Sequence, residues 1–190
     1  MSLDADPRWQ RLLGRAAPCP CCGRTFAGVF DIAFDHPANW PHGPLRDTGG
    51  DALEVDGDSL TADLCVHDGQ RYIRATLPIP IRGTEQVFAY GPWGSVSEGS
   101  YDAYVEAAYL GGPPFEGCFA WLANILPGTG QDDALPCNLM PHADPDRRPE
   151  LFVHRGHPLH DWQRDGIDFD CLLDLYAAAG QDIRPHLTDA

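Results

Sequence analysis

The sequence predicts an α+β domain: an antiparallel central sheet with short flanking helices and long loops. Three observations carry that prediction. Segments with strand-like alternation group in the middle of the chain, whereas helix-like periodicity lies mainly towards its ends. Glycine and proline are abundant, at 20 and 18 residues, so much of the chain is turns and loops. Near the N-terminus, Cys19 and Cys22 within Cys19-Pro20-Cys21-Cys22-Gly23 have the spacing of half a zinc knuckle. A chain of 190 residues suits one domain, 1–190, with a cysteine-bearing arm over residues 1–30 and a body of sheet and helices over 61–180.

Taken in order, Trp9, Leu12 and Leu13 stand at i, i+3 and i+4, which predicts a short amphipathic helix over residues 7–16. Residues 31–60 show little periodicity, and the stretches around His42-Gly43-Pro44 and from Asp47 to Asp51 read as solvated loop. Order returns at Asp63-Leu64-Cys65. Residues 71–81 alternate, with Tyr72, Arg74 and Thr76 on one side and Ile73, Ala75 and Leu77 on the other, as a half-buried strand does. Pro78 and Pro80 cannot donate ladder hydrogen bonds, so the end of that strand belongs at an edge or bulge. Gly83 turns the chain into a second strand over 85–93.

Ser97 or Ser100 then caps a helix over 101–110, with Tyr101, Tyr104, Val105 and Ala108 facing inward. Further strands are expected at 115–125, 135–142 and 149–154. Pro158 suits the first turn of a short helix running through Gln163 and broken by Gly166. Asp168 or Asp170 caps a last helix carrying Leu172, Leu173, Leu175 and Tyr176, and Gly180 ends it. Trp93, Trp121 and Trp162 are expected in the core.

Composition excludes several functions. A net charge of −15 and a pI near 4.6 repel nucleic acid and anionic membrane surfaces, and attract a basic protein partner. All 13 basic residues are arginine, so Schiff-base chemistry, a lysine nucleophile and a phosphate-loop lysine are ruled out. No run approaches the ~20 apolar residues of a spanning helix, and no leader is evident, so a cytoplasmic protein is expected. Seven cysteines, an odd number, fit reduced thiols better than a disulfide framework.

Several short blocks form a recognisable series. They are Cys19-Pro20-Cys21-Cys22-Gly23, Asp63-Leu64-Cys65-Val66, Ile79-Pro80-Ile81, the Gly-x-Trp of Gly91 and Trp93, and Ser95-Val96-Ser97. Arg148-Pro149 and the run His157-Pro158-Leu159, Gln163, Gly166-Ile167 complete it. In these blocks the chain resembles a bacterial family of uncharacterised proteins, domain-of-unknown-function family 2199. The resemblance implies no activity. Thr25 and Phe26 stand where members often carry a histidine, which argues against a purely local third ligand.

Cys19, Cys22 and Cys65 form the best ligand set, because zinc favours four nitrogen or sulfur donors. The fourth is Cys21, His157 or His67, with His157 favoured because it sits in the matched run. Against this stands packing of the same thiols as small buried hydrophobes. His154, His157 and His160 recur every third residue, but Gly156 and Pro158 interrupt the helix that would gather them. Arg148 beside Arg147 has the fork needed to bind an anion, although pairing with surface carboxylates is the ordinary fate of arginine in so acidic a chain. No G-x-S-x-G, G-x-G-x-x-G or H-E-x-x-H motif is present.

The expectation is therefore a non-catalytic cytoplasmic protein with a closed structural zinc site, acting on a basic protein partner through an acidic face. An antidote to a basic toxin is one such role. The competing class is a metal-dependent hydrolase built on the His157 region with Arg148 as anion clamp.

Overall fold

The computed structural model describes residues 3–15, 17–19 and 21–188. Ala16 at the end of the expected first helix and Pro20 of the cysteine motif lie outside them. In chain order the elements are α1 (Pro7–Leu12), β1 (Ile32–Ala33), β2 (Ala52–Val55), β3 (Asp58–Thr61), β4 (Leu64–His67), β5 (Gln70–Arg74), β6 (Leu77–Pro80), β7 (Val87–Gly91) and β8 (Trp93–Val96). There follow α2 (Glu98–Tyr109), β9 (Cys118–Leu122), β10 (Pro136–Met140), β11 (Glu150–Val153), α3 (Pro158–Asp165), α4 (Phe169–Ala178) and α5 (Arg184–Leu187).

Eight strands form an antiparallel sheet in the order β11-β10-β9-β8-β5-β4-β3-β2, and three form a smaller sheet in the order β1-β7-β6. One long bent hairpin belongs to both. Its base is β5 against β8, where Ile73 pairs with Gly94 and Arg74 with Trp93. The Ala75 amide then donates to Pro92 O at 2.9 Å. Beyond that point Leu77 pairs with Tyr90, and the same two arms run on as β6 and β7 of the small sheet.

The single strands expected over 71–81 and 85–93 are thus each broken in two. Pro92 has no N–H to continue its ladder, and the change of sheet occurs there. Pro78 and Pro80 fall on β6, an edge strand, as their missing donors require.

Residues 31–60, which show little periodicity in the sequence, are not without strands. Their second half is the β2–β3 hairpin, whose strands of four residues are too short to show a clear period. The first helix stops at Leu12 rather than reaching 16. The cap assignments resolve to Ser97 for α2, which accepts from the Ser100 amide at 3.2 Å, and Asp168 for α4, which accepts from the Cys171 amide at 2.8 Å.

Alternation along the large sheet feeds two cores. Ile73, Ala120, Leu122, Cys137, Leu139 and Leu151 pack with the small sheet, α1, α3 and α4 in the main one. On the other face, Leu60, Cys65, Tyr72 and Trp93 form a second core under the loop that carries Trp40. At the β9–β11 end that other face is uncovered. Phe119 and Phe152 flank Asn138 in one cross-strand row, and both rings are exposed together with Trp121 and Met140. Trp121 is therefore not a core residue as expected: it is 48% exposed, whereas Trp93 is fully buried and Trp162 half-buried.

Candidate metal centre

The cysteine cluster is built by the N-terminal arm folding back on itself. Asp6 caps α1 by accepting from the Arg8 amide at 2.8 Å, and Trp9 and Leu12 are fully buried. Trp9 meets Phe169 edge-on at 5.1 Å, which anchors the arm to α4. After α1, the Gly28 amide donates to Leu12 O at 2.9 Å, which brings the chain back beside the end of that helix.

Between these two residues the Cys19 amide donates to Arg24 O at 2.9 Å, and the Gly23 amide donates to Cys19 O at 2.8 Å. Gly23 has φ of 71°, a left-handed turn that glycine adopts without a Cβ penalty. That turn folds Cys21 and Cys22 back beside Cys19.

The fourth member comes from the far end of the chain. Ile183 and Leu187 are buried and hold α5 against α1, which sets the imidazole of His186 over the thiols. His186 Nδ1 lies 3.4 Å from Cys22 Sγ and 3.7 Å from both Cys19 Sγ and Cys21 Sγ. All four ligand atoms lie within 4.8 Å of one another.

Tetrahedral bonds of about 2.3 Å to sulfur and 2.0–2.1 Å to nitrogen put S···N edges at about 3.6 Å and S···S edges at about 3.8 Å. The three S···N separations straddle the first value. The Cys19–Cys21 sulfur separation of 2.9 Å would have to open by roughly 0.9 Å to reach the second.

Electrostatics favour a thiolate at the centre. Cys19 is lowered to about 6, first because the Cys21 thiol donates to it and also through His186. Cys21 is pushed up to about 11, chiefly by that same interaction with Cys19. Cys19 is 2% exposed, Cys21 and Cys22 face solvent, and His186 is half-buried. A site of three sulfurs and one imidazole nitrogen can hold a thiophilic ion with no protein position left vacant.

Of the expected set, Cys19 and Cys22 are here, and among the described residues neither Cys65 nor His157 joins them. Cys65 is fully buried in the second core, in a cross-strand row between Leu60 and Tyr72, and burial pushes its thiol up to about 12. His157 caps α3, its Nδ1 accepting from the Leu159 amide at 3.2 Å, and burial lowers its pKa.

Cys21, one of the alternatives, does lie in the group, so a third candidate ligand is local after all. His67 bonds Asp58 instead. His154 pairs with Asn138 and His160 with Val153 O, so the histidine triplet is not one cluster among the described residues. Arg148 donates from Nε to Asp63 Oδ1 at 2.6 Å, tying the segment before β11 to the turn before β4.

Sequence reasoning missed His186. The available signal was Ile183 and Leu187 four residues apart around Pro185, a short apolar anchor that would immobilise a histidine between them. No helix among the described residues is long and apolar enough to cross a membrane. Comparison with curated proteins and with solved structures returns no match. A family model does match, over residues 18–167, a span that takes in the three thiols and stops short of His186; the chain belongs to a family of uncharacterised proteins conserved in bacteria, DUF2199.

Proposed function

We propose that Cys19, Cys21, Cys22 and His186 hold a structural zinc ion, and that the protein works without catalysis by binding a basic protein partner. The observation that supports the metal is the convergence of three sulfurs and one imidazole nitrogen within 4.8 Å. Four protein donors leave zinc no position for an activated water, which is the arrangement of structural sites. The ion's work is then mechanical: it fastens the arm to α5.

Elemental analysis of protein purified under reducing conditions tests this. The parent is expected to carry one zinc per chain more than Cys22→Ser and one more than His186→Ala. A zinc content in both variants equal to the parent's would overturn the site.

The partner reading rests on charge and on the uncovered sheet face. The chain carries 28 acidic against 13 basic residues, and Phe119, Trp121, Met140 and Phe152 are exposed apolar side chains on neighbouring strands. Apolar patches of this kind mark interaction sites, with aromatic anchors supplying affinity and opposite charge supplying speed and selectivity. A basic toxin held by a cytoplasmic antidote fits that chemistry. Affinity for such a partner falls steeply as ionic strength rises through the physiological range. An affinity indifferent to salt would overturn the acidic-face reading.

A further inference from the structure

We propose that His42, Asp58 and His67 form a second divalent-metal site, separate from the cysteine cluster and with coordination positions open to solvent. Asp58 and His67 meet through strand register. Ser59 pairs with Val66 and Leu60 with Cys65, so the next positions along this antiparallel ladder are Asp58 and His67. Each also borders a two-residue turn. Val55 pairs with Asp58 across Asp56-Gly57, and His67 with Gln70 across Asp68-Gly69.

Asp56 and Asp68 have φ of 52° and 48°, and Gly57 and Gly69 have 94° and 72°. Two successive positive φ values are the type I′ turn that Asp-Gly favours and that matches strand twist. Both side chains are thus set on tightly closed hairpins at one end of the sheet.

The side chains of the triad are oriented from behind. The Asp68 amide donates to Asp58 Oδ1 at 3.1 Å, which holds the carboxylate with Oδ2 towards the imidazoles. His42 arrives from the loop over the second core. There Trp40 is buried, and its indole N–H donates to Gly43 O at 2.7 Å, closing the loop around His42. The Trp40 ring meets His42 at 4.9 Å and His67 at 5.9 Å, both edge-on, so one wall of the site is aromatic.

His42 Nε2 lies 2.9 Å and His67 Nδ1 2.7 Å from the same oxygen, Asp58 Oδ2. The three atoms lie within 4.8 Å of one another. With metal–ligand bonds of about 2.0–2.2 Å, adjacent donors stand about 3.0–3.4 Å apart, so the two edges from Asp58 Oδ2 to the imidazoles need open by only a few tenths of an ångström. Two imidazoles and one carboxylate suit Zn²⁺, Co²⁺, Mn²⁺ or Fe²⁺, and three protein ligands leave room for water or an oxyanion. The side chains are 18–24% exposed, so that ligand has access. The cysteine cluster prefers a thiophilic ion and closes around it. This triad differs on both counts.

Cobalt separates the two sites, because only thiolate ligation gives intense sulfur-to-metal charge transfer. The full chain, reduced, is titrated with Co²⁺ and with Zn²⁺ by calorimetry and absorption, alongside Cys22→Ser, Asp58→Asn, His67→Ala and His42→Ala. The parent is expected to bind two ions. Cys22→Ser is expected to lose the charge-transfer band yet retain one ion, bound with only weak visible bands. Each of the other three variants is expected to keep the charge-transfer band and to bind the second ion at least tenfold more weakly. His42 lies on a loop outside the β3–β4 ladder, so its variant keeps the test valid if the strand substitutions unfold.

If Cys22→Ser binds no ion at millimolar metal, or if the three triad variants bind like the parent, the triad is only a hydrogen-bonded cluster and the proposal falls. Failure of the cysteine site alone appears as an absent charge-transfer band and leaves the second readout intact.

Discussion

His186 Nδ1 stands 3.4 Å from Cys22 Sγ although 164 residues separate them in the chain. The contact is made by two short, individually weak elements, the Cys19–Arg24 turn and a helix of four residues. Neither has enough local hydrogen bonding to persist alone, since isolated helices much shorter than ~12 residues are marginal in water. Each is held because its neighbours, Trp9 and Leu12 on one side and Ile183 and Leu187 on the other, are buried in the main core.

Removing an ion bound by the four side chains is therefore expected to loosen both ends together. With free zinc at about 1,000 times its dissociation constant, binding stabilises the folded state by about 4 kcal/mol. For a chain of this size that is worth about 8–16 °C in Tm. Thermal melts with and without a chelator are expected to show that drop for the parent and a much smaller one for His186→Ala. A parent melt unaffected by chelator would refute a stabilising ion.

Cys65 is expected to behave as a core residue. Cys65→Ser places a hydroxyl in an apolar row between Leu60 and Tyr72, at a cost of about 1–3 kcal/mol in denaturant melts, while zinc stoichiometry is unchanged. Its thiol, pushed up to about 12 by burial, is expected to resist alkylation near neutral pH in the folded protein. Loss of zinc from this variant with stability intact would restore Cys65 to the ligand set.

Asp6 supplies a pH-dependent contribution at the start of α1. The Arg8 guanidinium bonded to its carboxylate holds its pKa below the usual aspartate value. A depressed folded-state pKa adds stability that is present above the ordinary aspartate pKa near 4 and is lost as pH falls through the folded value. Asp6→Asn keeps a competent N-cap but removes that titration, so its stability curve is expected to be flatter on the acid limb than the parent's. Asp6→Ala also loses the cap and is expected to cost about 1 kcal/mol at neutral pH. Identical acid limbs for the parent and Asp6→Asn would refute the coupling.

The uncovered aromatic face separates binding from folding. Trp121→Ser alters a side chain 48% exposed on the sheet surface, so stability is expected to move by about 0.5 kcal/mol or less. Loss of such an anchor typically weakens a protein complex by more than about 1 kcal/mol. Calorimetry against a basic partner, paired with denaturant melts, checks both halves. Unchanged affinity would take this face out of the interface.

The antiparallel sheet, most of the strands beyond residue 63 and the helix caps were legible because alternation, proline and capping residues act over a few positions. What escaped depended on distance or on turn chemistry. Asp56-Gly57 was the sign of the β2–β3 hairpin, yet the strands it joins are too short to announce themselves. The bend at Ala75 and Pro92 is marked locally only by the donor that Pro92 lacks, and no change of period shows that both arms pass into a second sheet there. Cys19 and Cys22 were readable because two intervening residues define a half-site. His186 was not, because its claim rests on Ile183 and Leu187 being buried beside a segment at the opposite terminus.

Because Cys19 and His186 are 167 residues apart, an ion bound between them before folding would convert nearly the whole unfolded chain into a ring. Closing so large a loop removes chain entropy worth roughly 5 kcal/mol at 25 °C on a polymer estimate. A clip of that span would act on the random coil as a whole, and the strands between its two ends would gain from it without touching the metal.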